Sequence, residues 1–397
     1  MTIKTEDPLF PPRPEFIKSF DFRDVIRGQS YLIFYAGRSN NVEEGAKLFA
    51  YETGDDTNND GGNTTMFAQT FTTGSSEVWV DSVELLCQNL GAGSDRLYLV
   101  GVDGSGNPDM DKIIAWDGET NIGAAGWHKF TFNGTSSDDN REWIKLDANT
   151  TYAIVFYNPT AGTIRWRSDD SSPTYTGGKY FISTDTGATW TGDATKDFLF
   201  RVNGITVNPY ILFPIPFDSD IPYYKIPRYH HPGETDTTRF CRTSIDFDLI
   251  VGKTFILKGD AILTFTIQGD NSGESTTSYN VKASINKFDG TTETQLASGE
   301  GRVLDDELSD TTAAFRQSIF MNIPNKTRIV KGDVLRLTID LWFGAEVTVA
   351  ANILQIYHDP TSRQIFDIDI ASADGENSNS GIRTDMLLYL PFVTDMS

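Results

Sequence analysis

The stretch GDDTNNDGG, residues 54–62, sets short oxygen side chains at Asp56, Asn58 and Asp60 and follows them with Gly61. Alternating Asp and Asn with a glycine for the sharp turn is how a calcium loop begins. A complete loop needs a bidentate glutamate at its twelfth position. Counted from Asp56 that position is Phe67, so an ion held here needs a carboxylate from elsewhere. The same text also reads as a solvated linker between the apolar runs KLFAYET and MFAQTF. A second oxygen-rich stretch, DGSGNPDMD from Asp103 to Asp111, follows LYLVGV and precedes KIIAW. Its Gly and Pro residues make it a strand connection.

Aromatic side chains offer another chemistry. Sugar rings present C–H faces that stack on aromatic planes, while Asp, Asn and Arg bond the hydroxyls. Trp116, Trp127, Trp166, Trp190 and Tyr175 are the candidates for such a face, with Arg165, Arg167 and Asp169 around Trp166. Strand alternation argues for a different role at one of them. In TIRWRS it puts Ile164, Trp166 and Ser168 on one side and the two arginines on the other, and Ile beside Trp reads as core.

Catalytic motifs do not stand out. No nucleophile elbow, phosphate-binding loop or HExxH is present. His230 and His231 are adjacent and complete no zinc set with His128 or His358. KGD at 258–260 and 331–333 reads as two turns. The expectation is a protein that is not an enzyme and that needs no cofactor beyond a structural calcium ion.

The elements that would position these groups are strands. SYLIFYA, EVWVDSVELLC, RLYLVGV, TYAIVFY, TFILKGDAILTFTIQG and VLRLTIDLWF are β-branched or aromatic runs divided by Gly, Asp, Asn and Ser. That pattern predicts an all-β chain of jelly-roll or β-sandwich domains. FDGT at 288–291 is the clearest hairpin turn. Residues 1–19, with Pro8, Pro11, Pro12 and Pro14, cannot support a helix and read as an extended N-terminal arm. Six of the seven tryptophans fall between residues 60 and 204, which marks that segment as a separate unit. The expected parse is an arm at 1–19, a base of residues 20–59 plus 206–397, and an insert at 60–205. The similar endings YILFPIPFDSD at 210–220 and LLYLPFVTD at 387–395 leave a tandem arrangement open.

With 397 residues and a net charge of −22, the chain can bury more than one core but lacks the basic surface that nucleic acid or an anionic membrane requires. No run approaches the length of a membrane span, and the N-terminus has no apolar secretory region. Cys87 and Cys241 read as buried free thiols. The stretch PYILFPIPFDSDIPYYKIPRYHHPG at 209–233 carries aromatics and prolines without a strand pattern, and reads either as a segment lying against a domain face or a neighbouring subunit or as an interdomain linker packed within its own chain.

Two resemblances add to this reading. The blocks FAQTFTT, VWVDSVELLC, LYLVGVDGSGNPD, GWHKFTFNG, IKLDANTTYAIVFY and TIRWRSDDSSPTYTGGKYFISTDTGATWTGDATKDFLFRVNG resemble jelly-roll modules related to carbohydrate-binding modules. That resemblance implies a glycan ligand and a structural calcium. The flanks, with FDFRDVIRGQSYLIFYAGRS, IDFDLIVGKTFILKGDAILTFTIQG, VKASINKFDGTTETQLASGEG and YHDPTSR, are similar to virion structural proteins of marine tailed viruses. That resemblance implies a capsid-decorating, fibre-like or tail-associated component. It would be assembled in the host cytoplasm, associate with other virion proteins and form a homo-oligomer, by analogy a trimer. The alternatives are a receptor-binding adhesin on the particle, gripping host glycan, and a secreted carbohydrate-binding protein.

Overall fold

The computed structural model describes residues 25–26, 29–38, 45–60, 64–88, 95–120, 125–132, 143–158, 165–214, 223–226, 239–270, 277–289, 292–303, 314–345, 353–358, 364–365, 382–383 and 385–393. The N-terminal arm at 1–19 and the histidine pair lie outside them. Every regular element among the described residues is a strand, and the sheets pack as β-sandwiches of jelly-roll kind.

The chain opens with β1 (Val25–Ile26) and β2 (Gln29–Arg38). Then come β3 (Ala46–Tyr51), β4 (Thr57–Asp60), β5 (Met66–Thr72), β6 (Val78–Cys87), β7 (Asp95–Val102), β8 (Pro108–Thr120), β9 (Gly126–Thr131) and β10 (Ile144–Leu146). Next are β11 (Thr151–Tyr157), β12 (Arg165–Asp169), β13 (Tyr180–Ser183), β14 (Thr191–Asp193), β15 (Asp197–Phe198) and β16 (Phe200–Ile205). The remainder is β17 (Tyr210–Phe213), β18 (Tyr223–Ile226), β19 (Arg239–Ile250), β20 (Phe255–Asp270), β21 (Thr277–Phe288), β22 (Glu293–Val303), β23 (Ala314–Ile329), β24 (Val334–Ala345), β25 (Ile353–Tyr357), β26 (Gln364–Ile365), β27 (Ile382–Arg383) and β28 (Met386–Val393).

Contacts divide the chain into two units. Unit 1 is Met1–Glu43, Asn208–Ile226 and Thr237–Ser397; unit 2 is Glu44–Val207 with Pro227–Asp236. The second unit therefore begins near residue 44 and not at 60. The physical reason is strand pairing: β3 pairs with β16 and β4 with β12, so residues 46–60 complete a sheet of unit 2.

Unit 1 is built on one twelve-stranded sheet that runs β18-β25-β20-β28-β2-β17-β19-β24-β21-β22, with β1 on β2 and β23 on β20. Alternation fills its core with Leu32, Phe34, Leu263, Phe265, Leu335, Leu337, Leu388 and Leu390. The two similar endings form β17 and β28, which flank β2 on either side within that sheet. Residues 210–213 and 223–226 are thus sheet strands, with Tyr210 and Leu212 buried, although the sequence there shows no strand pattern. Lys258–Asp260 also lies inside a strand. Gly259 takes φ of 116° at a bulge in β20, so the first KGD bends a strand where a turn is expected. The second KGD is a turn, with Gly332 at φ 98°. β21 and β22 form the hairpin expected at FDGT.

Unit 2 is a sandwich of an eight-stranded sheet, with path β15-β12-β6-β16-β3, and a six-stranded sheet, β14-β13-β5-β11-β7-β8. Between them lie Phe67, Phe71, Phe130, Phe156, Trp166, Phe198 and Phe200, together with the free thiol of Cys87. The six-stranded sheet is buried on its other face too. There Met66, Tyr98, Val155 and Phe181 pack under Met110, Trp116 and Trp190. Burial on both faces explains why MFAQTF and TYAIVFY read as nearly unbroken apolar runs.

Candidate functional site

The calcium candidates do not converge. Residues 57–60 are a paired strand, so this described part of the stretch is neither an open loop nor a plain linker. Asn58 lies opposite Arg167, and its side-chain oxygen accepts from that guanidinium at 2.6 Å. Asp55 also pairs with Arg167, and the carboxylate of Asp56 accepts from the Ser171 hydroxyl at 2.6 Å. Asp60 ends β4 opposite Arg165. A divalent ion here would face a guanidinium, so the residues present do not fit one. No group of three His, Cys, Asp or Glu among the described residues could hold a metal. Gly54, by contrast, has a definite packing role. Its φ is 80°, and a Cβ there would sit 2.1 Å from the Asp169 carboxylate. In the second oxygen-rich stretch, Asp103 accepts from the amides of Asn107 and Ser105 at 2.9 and 2.8 Å, which hold the connection and its own carboxyl below the usual range.

The proposed sugar face around Trp166 is also corrected. Trp166 is completely buried and stacks on Phe198 with ring centroids 4.1 Å apart, and its indole N–H donates to the Leu199 carbonyl at 2.8 Å. No ring face is left for a sugar. Arg165 and Arg167 lie on the opposite side of β12, as alternation requires. Asp169 is buried, Tyr175 packs edge-on against Phe200, and Trp190 packs on the second cluster. These residues do not form one surface.

What β12 does build is a buried carboxylate pair. Asp169 lies directly opposite Asp197 on β15. Burial opposes ionisation of Asp169. The Tyr51 hydroxyl and the amides of Ser172 and Ser171 all donate to it, outweigh burial and hold its carboxyl down at about 2. Burial pushes Asp197 up to about 6, against the donated hydrogen bonds of the Gln69 amide (3.1 Å) and the Tyr175 N–H (3.2 Å), with Asp169 adding repulsion.

The two carboxylates affect stability over different pH ranges. Asp197 binds its proton more tightly folded than unfolded, where an aspartate titrates at 3.8. Unit 2 therefore loses stability as pH rises from about 4 to about 6. Asp169 acts below that window, because its stabilisation is lost as pH falls from about 4 toward 2. Melting of the full chain from pH 4 to 7 should show the first decline, and Asp197→Asn should flatten it. Repulsion within the acidic chain is common to both proteins, so the difference isolates Asp197. Equal slopes would exclude the assignment.

The aromatic that does face outward is Trp127. It stands on β9 opposite Leu86, on the side of the eight-stranded sheet away from the core. The Arg201 guanidinium lies 3.9 Å from its ring centroid. Arg201 also bonds Glu84 at 2.7 Å and Glu52, Lys47 bonds Glu52 at 2.6 Å, and Asn203 donates to Glu84 at 3.1 Å. Four strands distant in sequence thus assemble a half-exposed indole ringed by carboxylates, an amide and cations. Arg201, Glu52 and Glu84 escaped the sequence reading. Only the outward alternation of FLFRV marks Arg201.

No family model matches the sequence, and no curated protein matches it significantly. Among solved structures, the chain is similar to the N-terminal CBM22-1-CBM22-2 tandem domain from Paenibacillus barcinonensis Xyn10C, with 9% identity over 80% of this chain and 99% of that one, at a TM-score of 0.21. It is also similar to the infectious bursal disease virus Gx strain structure, with 10% identity over 92% of this chain and 79% of that one, at 0.13. The VP2 subviral particle of the same virus gives 10% identity over 91% and 85%, at 0.10. At such TM-scores none of them bears on what this chain does.

Proposed function

We propose that the chain is a non-enzymatic structural protein of a tailed-virus particle, with unit 1 as the assembling base and unit 2 as a carried module. The observation that supports this reading is how one unit interrupts the other. The chain leaves unit 1 after Arg38 and returns at Tyr210, and these two residues are cross-strand neighbours in β2 and β17. In unit 2, Ala46 and Gly204 are likewise neighbours in β3 and β16. A module inserted between two paired strands leaves the carrier's sheet continuous, so each part can be specialised separately. The base would form a homo-oligomer, a trimer by analogy, among other virion proteins. Mass spectrometry of purified particles should find this chain as a stoichiometric component. Its absence from particles would sink the reading and favour a secreted carbohydrate-binding protein.

A specific observation favours a second role for unit 2, adhesion to host glycan. Trp127, with one ring face under Arg201 and with Glu52, Glu84 and Lys129 nearby, offers its other face beside hydrogen-bonding groups, the combination that orients a polyol ring. On a glycan array, Trp127→Ala should weaken any binding by about 10-fold or more, the usual cost of truncating an aromatic anchor. Melting should fall far less than for Trp166→Ala, because this side chain is only partly buried. A chain that binds no glycan, or a variant that binds equally well, would leave unit 2 structural only.

A further inference from the structure

The face of the unit 1 sheet turned away from its core is divided in two. Across β19, β24 and β21 it is polar, with Asp246, Asp248, Arg336, Thr338 and Asn286 joined by hydrogen bonds and ion pairs. Across β2, β28, β20 and β23 an apolar row crosses it, bordered on β20 and β23 by the Asp260–Asn322 and Thr264–Arg316 hydrogen bonds. One continuous row runs Ile33, Tyr389, Ile262 and Phe320, each opposite the next in the strand register. Tyr31 and Tyr35 extend it along β2, and Tyr31 meets Tyr389 edge-on at 6.5 Å. Phe320 is 66% exposed. A sheet face of this composition, on a chain of net charge −22, marks an interaction surface.

We infer that this face seats the N-terminal segment, residues 1–24, of a second copy of the chain. Three observations select that occupant. First, the segment ends at β1, which pairs with Gln29 and Ser30 of β2, next to Tyr31 at the margin of the patch. Second, it is apolar and nearly neutral, with Leu9, Phe10, Phe16, Phe20 and Phe22 and four basic against five acidic residues, so it approaches an acidic body without the repulsion that two whole copies suffer. Third, its reach favours a neighbour. The apolar patch is four strands wide, about 15 Å at about 4.8 Å per gap. The fourteen residues between Phe10 and β1, at about 3.1 Å each if drawn out as a proline-rich stretch, would reach about 43 Å. That length is enough to carry Leu9 and Phe10 past their own patch to another copy's.

This inference rests on the reading of unit 1 as an assembling base, and particle composition tests that reading separately. The test uses the full chain and two double variants. Leu9→Asp with Phe10→Asp removes the seated groups, and Ile262→Asp with Phe320→Asp removes the seat. Light scattering at micromolar concentration should show an oligomer for the natural chain and a mass reduced toward the monomer for each variant, with self-association at least 10-fold weaker. An equimolar mixture of the two variants should pair one to one, because one supplies an intact segment and the other an intact face. Phe320→Ser, at an exposed position, serves as the seat variant should the aspartates impair folding, and circular dichroism confirms the strand content of each. A monomeric natural chain, a variant that keeps the full mass, or a mixture that fails to pair overturns the inference.

Discussion

Trp166→Ala should destabilise unit 2 by about 4 kcal/mol and lower its melting transition by about 10 °C. Its indole has no exposed surface, lies flat on Phe198, meets Phe156 edge-on at 6.2 Å and gives its N–H to the Leu199 carbonyl. Truncation would leave a ring-sized void that neighbouring strands cannot close, since Cys87 opposite and Phe198 beside it are fixed by their own pairing. It would also remove one of the two donors to the Leu199 carbonyl, leaving the Leu86 N–H at 3.3 Å as its partner. The contrast with Trp127→Ala is the informative part. Substituting one tryptophan should cost stability and the other recognition, although both stand in short runs mixing aromatic and charged residues. A Trp166→Ala protein that melts like the natural one would mean that this ring is not the centre of the core. Calorimetry of the full chain reads the effect directly.

That contrast shows which parts of this molecule were legible in its sequence. Period-two patterns such as VWVDSVELLC and VLRLTID report which side chains face a core, because burial acts on each strand locally. The assignment of Trp166 to the core follows from TIRWRS alone. β4 was not legible, because TNND contains no apolar residue. It is a strand only because the edge of β12 offers backbone partners and Asn59 turns its amide inward to the Trp166 carbonyl and the Ser168 hydroxyl. The Gly-Asp pair at 259–260 misled for a related reason, since glycine serves a bulge as well as a turn. The outward group around Trp127 draws on residues 52, 84, 127 and 201. Their meeting depends on the register of β3, β16, β6 and β9, a non-local fact that no motif carries. The apolar row of unit 1 is similar: Ile33, Tyr389, Ile262 and Phe320 look like ordinary strand residues until the pairing sets them side by side.

Gly299→Val should be among the most damaging single substitutions in unit 1, costing about 3 kcal/mol or more. Gly299 lies in β22, at the end of the sheet's path, while β23 hangs from β20 nearer the other end. At Gly299 the two strands touch without forming a ladder. A Cβ there would lie 2.2 Å from the Phe320 carbonyl oxygen and 2.8 Å from the Ile319 methyl, and the first of these is backbone that no rotamer change relieves. The missing side chain is therefore what lets the two margins of the curled sheet come into contact and close over Ile319 and Met321, both buried. Gly301, two residues on, faces the milder approach of Ile319 at 3.2 Å, so Gly301→Ala should cost much less. Forcing the margins apart also leaves two strand edges open, which is a route to aggregation. The expected result for Gly299→Val is thus a lowered melting temperature together with concentration-dependent precipitation, both weaker in Gly301→Ala. If the two variants melt alike and stay soluble, the contact at Gly299 is not what closes the sheet, and the β22 margin must be held by its hairpin with β21 alone.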